Sequence, residues 1–283
     1  MPNPHPNDEL AFFGGVGSFS HEVAERWFPQ KTHHSFETFE EVIESVLHRD
    51  CRAGVVPIEN SNSQTIIAAQ VALAEKAGMI YVTALIPHKV ELYLYSYGSL
   101  EEITEVRSFE PVFGQTDIWL AEHLPNAVRT RTVASTSGAV ASLKEPVSRR
   151  VAAIGSKGAY VHGVPCICEQ IQTQPNVTIF CELSKDKPKT AEHLLFVTKD
   201  FKTEMVSEMH KVALAHGCRI SSNWEVKKYP HHFGFFEISS AYGPRDILEG
   251  DPEMEGRLKN TFLVGGYCGK SLTETMLEKH QLP

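Results

Sequence analysis

The chain has no apolar stretch near the roughly 20 residues that cross a bilayer. Its first ten residues are polar and proline-rich and lack the apolar core of a signal peptide. Neither a membrane partner nor export is expected, and a cytoplasmic location is. Positive charge is in deficit: the formal net charge is −8, which argues against nucleic acid or an anionic membrane as partner. An anionic substrate stays open, because a local positive pocket can exist on an acidic protein. Cysteines are few and scattered. Of the six, only Cys166 and Cys168 are close, and C-x-C is not the usual zinc spacing, so reduced structural thiols are expected. His33-His34 and His231-His232 are adjacent pairs whose rings diverge on a strand or helix, and no metal site is expected. Internal repeats and low-complexity tracts are absent. What is present is ordinary globular material, 42% hydrophobic and 22% charged in 283 residues, enough for a sizeable core in a two-lobed unit or a larger domain plus a smaller one.

Periodicity predicts alternating strands and helices in the first half. Residues 10–13 read as a strand ending in Gly14-Gly15-Val16-Gly17, followed by a helix over 21–28 that Ser18 or Ser20 can cap. Phe36, Phe39, Val42, Ile43, Val46 and Leu47 recur at helical spacing, giving a helix over 36–49. A strand over 54–58 and a helix over 65–77 follow. Residues 80–97 have room for two strands, broken near Pro87-His88. A second alternating set comes next: strands over 106–109, 128–134 and 151–154, helices over 113–123, 137–144 and 157–162, then a loop and strand over 170–181. Such alternation means parallel sheets covered by helices, and two sets suggest two lobes around a cleft. The charged, proline-bearing run Ser184-Lys185-Asp186-Lys187-Pro188-Lys189 reads as a linker. Beyond it the order is strand, helix, strand, strand, helix (245–259), strand, that of a small ferredoxin-like α+β domain.

Polar residues gather at the predicted strand ends. The run Gly-Val-Val-Pro-Ile-Glu-Asn-Ser over 54–61 delivers a carboxylate, a carboxamide and a hydroxyl in consecutive positions. It can be a capped strand-to-helix turn or one wall of a ligand site. The glycine turn at 14–17 with Ser18, the pair Ser108 and Gln115, the hydroxyls Ser135 and Thr136, and the segment Asn176-Val177-Thr178-Ile179-Phe180 complete the set.

In order and spacing these segments resemble the prephenate dehydratase family over about residues 10–183. The trailing domain matches that family's ACT regulatory domain in position and layout. The resemblance implies an α/β fold: a two-lobed, periplasmic-binding-protein-like dehydratase domain over 8–184, followed by an ACT-like domain over 191–275. It implies a lyase without metal or cofactor that removes water and CO2 from prephenate, giving phenylpyruvate for phenylalanine biosynthesis. The enzyme must hold a small carboxylic acid and help its hydroxyl leave without solvating the carboxylate that is lost, for which neutral donors suit better than a tight cation. By similarity Thr178 stands at the leaving hydroxyl, Asn60 and Gln115 orient the ring substituents, and Glu59 positions Asn60 or supplies a proton. Ser18, Ser61, Ser108, Ser135, Thr136, Asn176, Ile179 and Phe180 are the substrate-binding candidates, while Ser61, Ser108 and Thr136 can equally be caps. A homodimer through the ACT-like domain is expected by analogy.

The chain departs from the family in places. The family segment reads Asn-x-Thr-Arg-Phe, and its arginine is expected to grip the substrate's side-chain carboxylate; here that position is Ile179. Lys157, Arg131, His88 and His21 are candidate replacement cations. Where the family's ACT domain has Gly-Ala-Leu and Glu-Ser-Arg-Pro, the chain has Glu204-Met205-Val206-Ser207 and Asn223-Trp224-Glu225-Val226-Lys227-Lys228, which puts phenylalanine feedback in doubt. Two further readings stand beside this one, the first of them motivated by Ile179. One is a changed reaction or substrate on the same scaffold, such as a prephenate decarboxylase or a specialised biosynthetic enzyme. The other is a non-catalytic small-molecule binder.

Overall fold

Two sheets run through the computed structural model, which describes residues 8–62, 64–132, 135–144, 149–228, 230–239 and 260–277. In the first lobe, β1 (Glu9–Phe13) lies between β2 (Thr32–Phe36) and β3 (Ala53–Asn60), all parallel. The crossover helices take opposite faces. Alternation along β1 sends Leu10 and Phe12 to a cluster with Val23 and Ala24 of α1 (Phe19–Trp27), while Ala11 meets Val42 and Val46 of α2 (Phe39–Leu47). Past β4 (Gln64–Thr65) and α3 (Ile67–Glu75), β5 (Tyr81–Lys89) crosses towards the second lobe, and β11 (Val177–Ser184) returns between β3 and β5, antiparallel to both.

The second lobe is a five-stranded sheet. It is built from β6 (Tyr93–Ser96), β7 (Glu105–Phe109), β8 (Val128–Thr132), β9 (Val151–Gly155) and β10 (Cys166–Cys168), in the order β10-β6-β9-β7-β8. Its helices are α4 (Glu110–His123) and the short α5 (Thr136–Ala141).

The C-terminal unit contains β12 (His193–Lys199), α6 (Glu204–Ala215), β13 (Arg219–Lys228), β14 (His231–Ser239), β15 (Thr261–Tyr267) and α7 (Leu272–Leu277). Its strands run antiparallel in the order β13-β14-β12-β15, the ferredoxin-like arrangement. The helix expected over 245–259 lies outside the described residues. One register point, Gly265 opposite Val82, joins β15 to β5 and makes the C-terminal sheet continuous with that of the first lobe. The join needs glycine, because a Cβ at 265 would stand 2.7 Å from Val82. A single core cluster accordingly runs from α2 and α3 through Ile179 and Cys181 to Leu195, Val197 and Phe235.

Several boundaries differ from the sequence reading for definite reasons. The helix over 36–49 starts at Phe39, because Thr38 and Glu41 form a capping box; residues 32–36, too polar to signal burial, form the edge strand β2 instead. The break near Pro87-His88 is displaced, and β5 runs through both residues. Pro87 faces β11 on one side, and β15 meets β5 only at Val82, so the missing Pro87 N–H interrupts no ladder on the other side. The second-lobe helix begins before Pro111, which sits in the first turn where no N–H is required. Residues 157–162 form a 3-10 helix, and β10 and α7 had no sequence expectation.

Candidate active site

A β-bulge aims the candidate residues. Across the β3–β11 ladder, Pro57 stands opposite Phe180, but Glu59 stands opposite Ile179 and Asn60 opposite Thr178. The extra residue is Ile58. Without it, period-two alternation would put Asn60 on the face of Ile58 and Glu59 on that of Pro57. The bulge reverses that phase. Asn60 joins Pro57, Thr178 and Phe180 on the wall of a cleft of about 780 Å³ between the lobes. Ile58 and Ile179 go to the core on the other face. Gln70 of α3 secures the bulge: its Nε2 donates to the Ile58 carbonyl at 3.0 Å and to Glu59 Oε2 at 3.4 Å.

Four amide and hydroxyl side chains form a continuous array on the wall. Asn60 Nδ2 donates to Asn176 Oδ1 and to Thr178 Oγ1, each at 2.8 Å. Asn176 Nδ2 donates to Gln115 Oε1 across the lobes at 2.7 Å. Asn60 Oδ1 in turn accepts from the Asn62 N–H at 3.0 Å, so the orientation of each carboxamide is fixed by its neighbours. Ser18, Ser135, Thr136 and Phe180 also line the cleft. Ser18 caps α1 and Ser135 caps α5, each accepting an N–H three residues on.

Other sequence candidates lie elsewhere. Ile179 is fully buried in the core on the far face of β11, so position 179 cannot present a group to the cleft. Glu59, opposite Ile179, lies on that far face too and does not line the cleft. Ser61 is one step behind the wall, donating to Asn176 Oδ1 at 3.2 Å and accepting from the Val177 N–H at 3.0 Å. Ser108 is fully buried and donates to the Ile154 carbonyl, tying β7 to β9. None of these four lines the cleft.

Nor do the four candidate cations. Arg131 is exposed and paired with Glu110, and Lys157 is exposed. The His21 ring accepts the Gly17 N–H at Nδ1 (3.2 Å), and His88 lies beneath the cleft floor, bonded to Glu22. Burial lowers the His21 pKa below the ordinary 6.5 against an opposing pull from Glu25, in keeping with a neutral, accepting ring. Among the described residues that line the cleft, none is Lys, Arg or His. Positive potential comes instead from α1 and α4, of nine and 14 residues, whose first turns line the cleft through Phe19, Ser20, Pro111 and Val112.

Apart from Phe180, sequence reasoning missed the apolar part of the site. Phe13, Phe36 and Phe109 end β1, β2 and β7 and line the cleft with Phe19, Ile66 and Leu92. The available signal was an aromatic residue closing three of the parallel strands, β1, β2 and β7, where ligands of open α/β sheets bind.

Comparison with known proteins settles the family. The prephenate dehydratase family model matches residues 10–188. The chain belongs to the prephenate dehydratase family. A bifunctional chorismate mutase/prephenate dehydratase from Neisseria gonorrhoeae is 29% identical over 60% of this chain and 47% of its own length. A prephenate dehydratase from Lactococcus lactis subsp. cremoris is 27% identical over 63% of this chain and 64% of its own. The chain thus spans between about half and two thirds of these curated relatives. Among solved structures, prephenate dehydratase from Arthrobacter aurescens in complex with L-Phe superposes with a TM-score of 0.77 at 18% identity, covering 92% of this chain and 90% of that one. GqqA, described as a novel type of quorum quenching acylase, superposes at 0.75 with 15% identity over 94% and 99% of the two chains. At these identities the likeness establishes the shared fold.

Proposed function

We propose that this member of the prephenate dehydratase family catalyses the decarboxylating dehydration of prephenate to phenylpyruvate, on the way to phenylalanine. The observation that carries the reading is the Gln115–Asn176–Asn60–Thr178 array, hydrogen-bonded end to end on a wall with no cation among the described residues that line it. Prephenate carries two carboxylates on a ring that becomes aromatic when CO2 and hydroxide leave. Helix N-termini and neutral donors hold the dianion without clamping the departing carboxylate. The phenylalanine-lined side suits the ring and excludes water from it. Thr178, held by Asn60, donates to the leaving hydroxyl, and the amides stabilise charge as the C–O bond breaks. One proton is consumed per turnover, and water, CO2 and the phenylpyruvate monoanion are released.

A changed reaction on the same scaffold was motivated by Ile179, and its burial on the far face removes that motive. The fold alone does not choose the chemistry, since GqqA shares it. An acylase reading gains no support from the Ser137–His162 contact of 2.8 Å: Ser137 is 2% exposed, donates to the Val16 carbonyl and does not line the cleft. Residues 8–184 form the proposed catalytic domain and 191–275 an ACT-like domain. Among the described residues β13 is the edge strand of its sheet, which supports a homodimer paired edge to edge. No helix among the described residues is long and apolar enough to cross a membrane, in keeping with a proposed cytoplasmic location.

The test is incubation of the purified chain with prephenate, followed by mass and ultraviolet absorbance. Phenylpyruvate above the spontaneous rate supports the reading. Loss of CO2 with the ring hydroxyl retained would replace it with a decarboxylase, and no turnover would leave a binder.

A further inference from the structure

Next to the array, beneath Phe19 and Phe180, lies a buried imidazole that the array does not use. His88 is directly opposite Thr178 on the β5–β11 ladder, as Asn60 is on the β3 side, so the three side chains form one row across three strands on the cleft face. His88 is 7% exposed and sits edge-on to Phe19 and Phe180, both of which line the cleft above it. Its Nε2 bonds Glu22 Oε2 at 3.1 Å, and the other Glu22 oxygen accepts the Gly158 N–H from the second lobe. Its Nδ1 is buried with no hydrogen-bond partner among the described residues. An orphaned nitrogen in an otherwise satisfied ring is costly, and its cross-strand neighbour is the hydroxyl assigned to the leaving group.

We propose that His88, held by Glu22, supplies the proton that Thr178 passes to the departing hydroxyl. A threonine oxygen has two lone pairs and one hydrogen. Asn60 Nδ2 takes one lone pair, and no acceptor for the hydroxyl hydrogen is found among the described residues. The second lone pair is free for a donor from the His88 side. Nδ1 and Oγ1 are not hydrogen-bonded in this structure, but directly opposite residues hold their Cβ atoms about 5 Å apart, a gap that a side-chain rotation or one water closes. In the loaded state the imidazolium donates Nε2–H to Glu22 and Nδ1–H to Thr178. As the ring C–O bond breaks, Thr178 gives its hydrogen to the leaving oxygen, which departs as water, and takes the Nδ1 hydrogen in its place. The electron pair of the bond to CO2 passes into the ring. The neutral His88 then regains one proton from solvent, the one proton the overall reaction consumes. Acting through Thr178, His88 is a positioning residue that also carries a proton.

The inference rests on the proposed reaction, and prephenate turnover by the full chain tests both. In H88Q the amide nitrogen takes the place of Nε2, keeping the bond to Glu22 and removing Nδ1. In H88N an amide takes the place of Nδ1 without a transferable proton. Both are expected to lower kcat at least tenfold, with KM within twofold and the thermal unfolding midpoint little changed. E22Q removes the anion, and its one amide oxygen can accept from His88 Nε2 or from the Gly158 N–H but not from both. It is expected to lower kcat in the same way and, where it folds, decides the matter if the His88 variants do not. Wild-type kcat in folded H88Q, H88N or E22Q would overturn the relay and leave the function standing. No turnover by the wild-type chain would overturn the function and the relay together.

Discussion

Glu59 stands directly opposite Ile179 across the β3–β11 ladder, on the face of the sheet turned away from the cleft. The position where the family carries arginine is thus a cross-strand neighbour of a carboxylate, behind the wall. An arginine here would meet Glu59 before it met any substrate. In this chain the same ground is occupied by an apolar core that continues into the C-terminal sheet.

Restoring the family residue by Ile179→Arg is therefore expected to disturb packing and leave prephenate affinity unimproved. A guanidinium placed among Val56, Ile58, Leu195 and Val197 is only partly compensated by Glu59, and the expected cost is about 2 kcal/mol or more. Urea unfolding of the variant checks this. Unchanged stability together with a lower KM would show that position 179 reaches the substrate after all.

Thr178→Val tests the array itself. Valine keeps the shape and β propensity and removes the oxygen that accepts from Asn60, whose amide keeps Asn176 as a partner. Turnover is expected to fall about 100-fold, while stability changes by about 1 kcal/mol. Steady-state kinetics beside urea unfolding separates the two effects, and an undiminished kcat would remove Thr178 from the chemistry.

Much of this was legible in the sequence, and what was not has one dominant cause. Strand–helix alternation and the late β-α-β-β order follow from periodicity, and the polar strand ends marked Asn60, Gln115, Asn176 and Thr178. The facing of Glu59 and Ile179 did not follow, because a bulge at Ile58 leaves no local sequence signature. It is made by register with β11, more than 100 residues away, and by Gln70 bonding to the Ile58 carbonyl. Ser108 read as a site residue because a serine at a strand end has the same appearance whether it faces a ligand or a neighbouring strand's carbonyl. β2 escaped notice because an edge strand with polar residues on both faces carries no alternation.

Acid should loosen the glycine turn through His21. Burial holds its folded-state pKa below 6.5, and its Nδ1 accepts the Gly17 N–H. Above pH 6.5 the ring is neutral in both states and the full stability is present. As pH falls through 6.5 the unfolded chain takes up a proton that the folded chain does not, so stability drops until the lower folded-state value is passed. The turn is sensitive because a Cβ at Gly17 would stand 3.0 Å from the Gly158 carbonyl of the other lobe. Urea unfolding at pH 7.5, 6.5 and 5.5 is expected to show a smaller acid loss for His21→Asn than for the wild type. Parallel curves would dismiss His21 as a source of that loss.

One hydrogen bond ties the C-terminal sheet to the side chain that secures the β3 bulge. Trp224 of β13 donates its indole N–H to Gln70 Oε1 at 2.7 Å and stacks on Phe235. Gln70, 2% exposed, spends its own amide hydrogens on the Ile58 carbonyl and Glu59. The indole therefore helps fix the amide that secures the bulge, and the bulge fixes Asn60. Trp224→Phe keeps the stacking and leaves Gln70 Oε1 without its donor, which is expected to cost about 1–3 kcal/mol. If the amide then rotates, the Ile58 carbonyl loses a partner and Asn60 loses its fixed aim, so kcat with prephenate should fall several-fold although Trp224 is remote from the cleft. Gln70→Leu should reproduce that fall, and adding Trp224→Phe to it should change little more, because the two residues act in series. Independent, additive losses in kcat would show that the C-terminal sheet stabilises the chain without reporting to the site.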